Sequence, residues 1–177
     1  MGTLNQFLDD KRVALEAALA AAIADPKPLQ LQANVNVRGR SGVRVIKVRQ
    51  FEMINDTPAD FGGFDLGPNS PEHQLVALGG CIAHTAEMIA AFMHLSIEKI
   101  DVDVTASIHA LAQTPGYEHI PFGPYDMNYT LRIESTEPAE KLATLHQQVE
   151  ATCPLYNFLT KPQVIKGSLM VLVPEAI

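Results

Sequence analysis

The stretch from Ser70 to Leu95 limits what this chain can fold into more than any other part of it. It opens Ser70-Pro71-Glu72: an N-cap residue, a proline at the first helical position and an acid in the first turn. Beyond that start it is apolar almost all round, which predicts a helix buried on most of its circumference. The run from Val76 to Leu95 approaches membrane-spanning length, yet it contains Gly79, Gly80, His84, Glu87 and His94. Those residues favour the centre of a core over a membrane span. Glycine inside a helix costs about 1 kcal/mol relative to alanine. The pair Gly79-Gly80 therefore points to close approach of another helix or backbone.

A helix of that kind needs strands to cover it, and the flanking sequence supplies them. Ile100 to Ala110 alternates, with Ile100, Val102, Val104, Ala106 and Ile108 on one face. Tyr125 to Glu134 alternates likewise, with Met127, Tyr129, Leu131 and Ile133 inward. Upstream, Leu31 to Val37 and Val43 to Ile54 read as a strand pair joined at Arg38-Gly39-Arg40-Ser41-Gly42, with a slip in alternation near Val45-Ile46 that suggests a bulge. Pro138 to Thr152 is an amphipathic helix, Cys153-Pro154 opens a short helical turn to Leu159, and Gln163 to Val173 reads as a last strand. The loops at 55–70 and 111–124 are long and rich in Pro and Gly; the second reads as a lid. Strands grouped in pairs, not alternating strictly with helices, indicate an α+β fold with antiparallel sheets around the long central helix.

The 177 residues suit one domain over 1–177, with a core at 31–173. An alanine-rich helix from Leu4 to Ala24 forms an extension, 1–28, closed by Asp25-Pro26-Lys27-Pro28. The net charge of −7 leaves no basic excess for phosphates, so neither nucleic acid nor an anionic membrane is an expected partner. The acidic, unpatterned N-terminus has no secretory character, which makes the cytoplasm the expected location.

In a reducing compartment the two cysteines, Cys81 and Cys153, are not expected to be a structural staple. Three readings stand: small buried hydrophobes, a redox couple, or part of a metal site. Cys81 lies well inside its helix, beyond the reach of that helix's dipole, so its activation calls for a side chain, and arginine is the natural choice. Cys153, before Pro154, is placed to be an N-cap. Cys81 and His84 share a helical face, but two ligands fall short of a zinc site, and no metal or other cofactor is expected. Met88, Phe92 and Met93 fit a core better than a binding box.

Ser70-Pro71-Glu72 followed by Leu75-Val76-Ala77-Leu78-Gly79-Gly80-Cys81 resembles the central helix of the OsmC/Ohr superfamily, the osmotically inducible and organic hydroperoxide resistance proteins. Glu150-Ala151-Thr152-Cys153-Pro154-Leu155-Tyr156-Asn157 resembles its second cysteine motif. The order of elements matches from about Leu31 to Val173. The resemblance implies an intertwined homodimer with sites at the subunit interface. It makes Cys81 the peroxidatic and Cys153 the resolving residue, with Arg40 supporting the thiolate and Glu72 holding that arginine; Arg38 is the other arginine of the same turn. It implies a thiol peroxidase that reduces organic hydroperoxides; the expected mechanism forms a disulfide that a dithiol reductant resets, and the expected apolar lining of the substrate is Phe61, Phe64, Met88, Phe92 and Tyr156. The alternative within the family is a protein without efficient peroxidase activity that binds a small apolar ligand at the same interface.

Overall fold

The structure, a computed structural model, describes residues 3–172. In chain order it comprises α1 (Leu4–Ala24), β1 (Asn34–Arg38), β2 (Val43–Val48), β3 (Phe51–Asn55), α2 (Ser70–Phe92), β4 (Lys99–Ser107), β5 (Tyr125–Glu134), α3 (Ala139–Thr152) and α4 (Pro154–Thr160). A 3-10 turn at Ala59–Phe61 interrupts the loop before α2. The fold is α+β, with two antiparallel sheets and one long central helix.

α2 is long and apolar enough to cross a membrane by composition, and the molecule uses it as the middle of its core. Ile82, Ala86 and Ala90 are completely buried along it, joined by Ile97, Leu145, Val149 and Cys153. β4 and β5 lie on one side and present Val102, Val104, Met127, Tyr129, Leu131 and Ile133 to this cluster. The alternation of β5 is the burial pattern expected of it. Ile108 falls beyond β4 and is exposed. Gly79 does meet a close neighbour: a Cβ there would lie 3.2 Å from Val104 Cγ2. Gly80 has open space instead.

The N-cap of α2 is Asn69, not Ser70. Asn69 Oδ1 accepts from the Glu72 N–H at 3.0 Å, and Glu72 Oε2 accepts from the Asn69 N–H at 2.7 Å. This is a complete capping box, satisfying two donors that the first turn would otherwise leave bare. The helix stops at Phe92, short of the expected Leu95, because His94 takes a left-handed conformation.

α1 packs on α2 within the same chain. Leu8 is buried, Lys11 Nζ donates to Glu87 Oε2 at 2.9 Å, and Asn5 Oδ1 accepts from the Ile97 N–H at 2.7 Å.

The first sheet corrects the sequence expectation in two respects. The expected strand Val43 to Ile54 is two strands, β2 and β3, folded back on each other with Val48 opposite Phe51. Arg49, in a left-handed conformation, makes the turn. There is no bulge at Val45-Ile46; the β1–β2 ladder runs through them, with Val35 opposite Ile46 and Asn36 opposite Val45. The change in alternation marks the approach to a reverse turn. Gly39 and Gly42, both at positive φ, make the β1–β2 connection possible.

The expected last strand is a further correction. Residues 163–172 carry no regular structure and are exposed, and Val173 lies outside the described residues. An alternating segment becomes a strand only when an edge hydrogen-bonds to it, and no strand of this chain does so among the described residues.

Candidate active site: a contact between two free thiols

The fold brings together two residues 72 positions apart. Cys81 faces inward from the middle of α2, and Cys153 sits where α3 ends and α4 begins, as C-cap of one and N-cap of the other. Their sulfurs are 3.4 Å apart, both as free thiols. Cys153 is 0% exposed, while Cys81 is half-buried. The Cys81 carbonyl accepts from Thr85 Oγ1 at 2.8 Å.

The other expected site residues are not gathered around the sulfurs. Arg40 lies at the exposed tip of the β1–β2 turn and makes no ion pair among the described residues. Glu72 is occupied by the helix cap, so within one chain it does not hold Arg40. Arg38 contributes its carbonyl to the turn, accepting from Ser41 Oγ at 2.7 Å. The expected apolar lining is dispersed. Phe61 borders a cavity of about 570 Å³ with Ile108, Pro121 and Phe122 under the expected lid. Phe64 and Phe92 are exposed, and Met88 is partly buried on α2. Tyr156 packs on the same buried cluster as the two cysteines and lines a cavity of about 260 Å³ with Leu78, Met127, Tyr129 and Leu159. His84 rests against Lys11 Nζ at 3.2 Å, and no group of three metal-binding side chains occurs among the described residues.

A family model described as OsmC-like protein matches residues 63–167, which include α2 and both cysteines. This chain belongs to the OsmC-like family. The fold of this OsmC-like protein is shared with solved structures. An OsmC like protein from Mycoplasma pneumoniae matches with a TM-score of 0.64 at 21% identity, covering 76% of this chain and 89% of that one. An organic hydroperoxide resistance protein OsmC from Legionella pneumophila matches with a TM-score of 0.54 at 16% identity, over 75% and 90% of the two chains. A putative organic hydroperoxide resistance protein from Vibrio cholerae, with captopril bound in one of its active sites, matches with a TM-score of 0.54 at 18% identity, over 76% and 87%. A comparison with curated proteins found no match.

The electrostatics of the OsmC-like thiol pair follow from its partial burial. Burial pushes the Cys81 thiol up; the Leu155 backbone N–H opposes that rise, and the neighbouring Cys153 adds to it. The larger opposing group is a backbone donor from the first turn of α4, with the Thr85 hydroxyl as the smaller, a source of activation the sequence did not suggest.

Sequence reasoning also missed the polar cluster behind Cys153. Tyr129, on β5, donates its hydroxyl to Glu150 Oε1 at 2.9 Å and stands 2.6 Å from His146 Nε2. Its ring meets Tyr156 edge-on, with centroids 6.1 Å apart. Burial, then the Glu150 carboxylate, hold the Tyr129 hydroxyl well above its ordinary value, so it stays a donor. The signal available in the sequence was His146 and Glu150 at helical i,i+4 spacing just before Cys153.

Proposed function

We propose that this OsmC-like protein is a thiol peroxidase that reduces organic hydroperoxides, with Cys81 as the peroxidatic and Cys153 as the resolving residue. The observation that supports this most is the 3.4 Å contact between two free thiols from separate elements. The Cys81 thiolate attacks the distal peroxide oxygen and the O–O bond breaks. The proximal oxygen leaves with a proton as the alcohol, and Cys81 becomes a sulfenic acid. Cys153 then attacks the Cys81 sulfur; the S–S bond forms, and the hydroxyl leaves as water with the Cys153 proton. A dithiol reductant restores both thiols by two exchanges and is itself oxidised to a disulfide. The cavity lined by Leu78, Met127, Tyr129 and Tyr156 suits the apolar part of a peroxide. The chemistry needs a reducing compartment, in keeping with a cytoplasmic location.

The functional unit in this reading is an intertwined homodimer. β1–β3 show apolar side chains such as Val35, Val37, Phe51 and Met53 to solvent, and a second copy is the natural cover. Assembly is also the route by which Arg40, remote from the sulfurs of its own chain, can serve a thiolate.

Titrating reduced protein with cumene hydroperoxide tests the reaction. We expect two thiols to disappear per chain, a Cys81–Cys153 bridge in the peptide map, and no turnover in Cys81→Ser. Thiols that survive excess peroxide would overturn it and leave the second family reading, an apolar ligand held in the same cavity.

A further inference from the structure

The break between α3 and α4 leaves carbonyls that the helix can no longer serve. In an unbroken helix the N–H of residue 154 would bond Glu150 O and that of residue 155 would bond Ala151 O. Pro154 has no N–H to give. The Leu155 N–H makes no backbone hydrogen bond back across the break to α3, and it is the backbone donor that opposes the rise of the Cys81 thiol. Both abandoned carbonyls are taken up by one side chain. Asn157 Nδ2 donates to Glu150 O at 3.0 Å and to Ala151 O at 3.3 Å, and also reaches Cys153 O at 2.9 Å. The Asn157 backbone N–H adds a bond to Cys153 O at 3.0 Å. Lys161 Nζ donates to Asn157 Oδ1 at 2.5 Å, which orients the amide with its NH₂ toward the carbonyls.

We infer that Asn157 is the positioning residue of the thiol pair: by replacing the two donors lost at the Pro154 break, it holds Cys153 at the kink and leaves the Leu155 N–H free for the Cys81 sulfur. Without the Asn157 amide, the carbonyls of Glu150 and Ala151 must find other donors. By the i→i−4 pattern of a continuous helix, the donor for Ala151 O is the Leu155 N–H. Taking it back would tighten the chain toward a continuous helix, draw the donor from Cys81 and displace Cys153. Asn157 thus acts on both sulfurs while touching neither. The part that concerns Cys153 as resolving residue rests on the peroxidase reading; the part that concerns the acidity of Cys81 does not.

The test uses full-length Asn157→Ala, Asn157→Asp, which keeps the shape and loses the donors, and Lys161→Met, which leaves the amide in place without its guide. The first readout is the pH profile of Cys81 alkylation by iodoacetamide, followed by mass spectrometry. The second, after one equivalent of cumene hydroperoxide, is the rate of disulfide formation against trapping of Cys81 sulfenic acid by dimedone. In both Asn157 variants the alkylation midpoint should rise by roughly one pH unit, a tenfold loss of thiolate at neutral pH. Disulfide formation should slow by about the same factor while trapped sulfenic acid accumulates. Lys161→Met should move the same way by less. Folded variants with an unchanged alkylation profile and an unchanged disulfide rate overturn the proposal. If both Asn157 variants unfold, the same two readouts on Lys161→Met decide it. Should wild-type protein ignore peroxide altogether, the peroxidase reading falls, and the alkylation profile alone still decides whether Asn157 sets the acidity of Cys81.

Discussion

The two sheets of this chain are built from similar residues and live in opposite surroundings. β4 and β5 alternate, bury Val102, Val104, Leu131 and Ile133 against α2, and help form the wall behind the thiols. β1–β3 carry Val35, Val37, Phe51, Met53 and Ile54, all exposed, and are tied to the rest mainly through the hinge at Asn55 and Asp56. One sheet finds its core within the chain; the other leaves its apolar side chains exposed. The division is also chemical, because the covered region holds both sulfurs and the uncovered one holds Arg40. In the proposed reading a protein so divided completes its site when the second sheet is covered, and substitutions on either side of the division test it.

The largest expected effect lies in the covered region. Leu145 is fully buried under α2, so Leu145→Ala should cost about 2–5 kcal/mol in urea unfolding at any protein concentration. Val37→Asp should behave differently. Within one chain Val37 is exposed, and a surface change of that kind is worth about 0.5 kcal/mol or less. If a second copy covers the sheet, Val37→Asp instead dissociates the assembly, seen as a fall in sedimentation coefficient and a lower melting temperature that no longer depends on protein concentration as the wild type's does. A Val37→Asp protein that sediments and melts as wild type breaks the comparison, since nothing would then be covering β1–β3.

Next in size is Arg40. Burial raises the Cys81 thiol, and a guanidinium within about 4–6 Å would lower it by about 1–3 units. Arg40→Ala should therefore raise the midpoint of Cys81 alkylation by that amount and slow its reaction with peroxide in proportion. An unchanged midpoint would confine the chemistry to the covered region, with the Leu155 N–H and the Thr85 hydroxyl as the support for the thiolate. Glu72→Gln separates the two roles proposed for that residue. As a cap partner alone it should change stability by a few tenths of a kcal/mol, because glutamine serves the same capping box. If Glu72 also holds the arginine, the Cys81 midpoint moves with it.

What could be read in the sequence divides along the same line. Elements that bury a face against their own chain left a periodic record: α2, β4, β5 and α3 were legible to within a few residues. The segment at 163–172 carries a strand pattern and forms no strand, because no edge of its own chain hydrogen-bonds to it. Val43 to Ile54 read as one strand because nothing in Arg49-Gln50 resembles the usual Asn-Gly turn. In the site, the cysteines announced themselves by residue type. Asn157 and Leu155 did not, because their part is played through backbone groups that exist at every position and matter only where Pro154 breaks the ladder. Glu72 was legible as an acid in a first turn, and its capping role was hidden by a register one residue away, with Asn69 and not Ser70 at the cap.

The smallest expected effect concerns the hinge that joins the two regions. Asp56 is buried, and burial alone would raise its carboxyl, but the N–H groups of Thr57, Leu66 and Phe64, helped by Arg44, outweigh that and hold it below the usual carboxylate value. Its folded value thus lies below its unfolded one. The stability it lends is present above the ordinary range of aspartate and is lost as the pH falls through the depressed folded value. Asp56→Asn can still accept from Phe64 and Leu66 but cannot titrate. The variant should unfold in acid with a shallower dependence on pH, by less than one proton, and lose little at neutral pH. If the loop at 56–69 is the rigid tie between the sheets, the same acidification should loosen β1–β3 before α2, read as faster amide exchange in β2 and β3 while Ile82 and Ala86 stay protected. Simultaneous loss of protection in both regions would mean that they unfold as one body, and that the division seen within a single chain vanishes once the second sheet is covered.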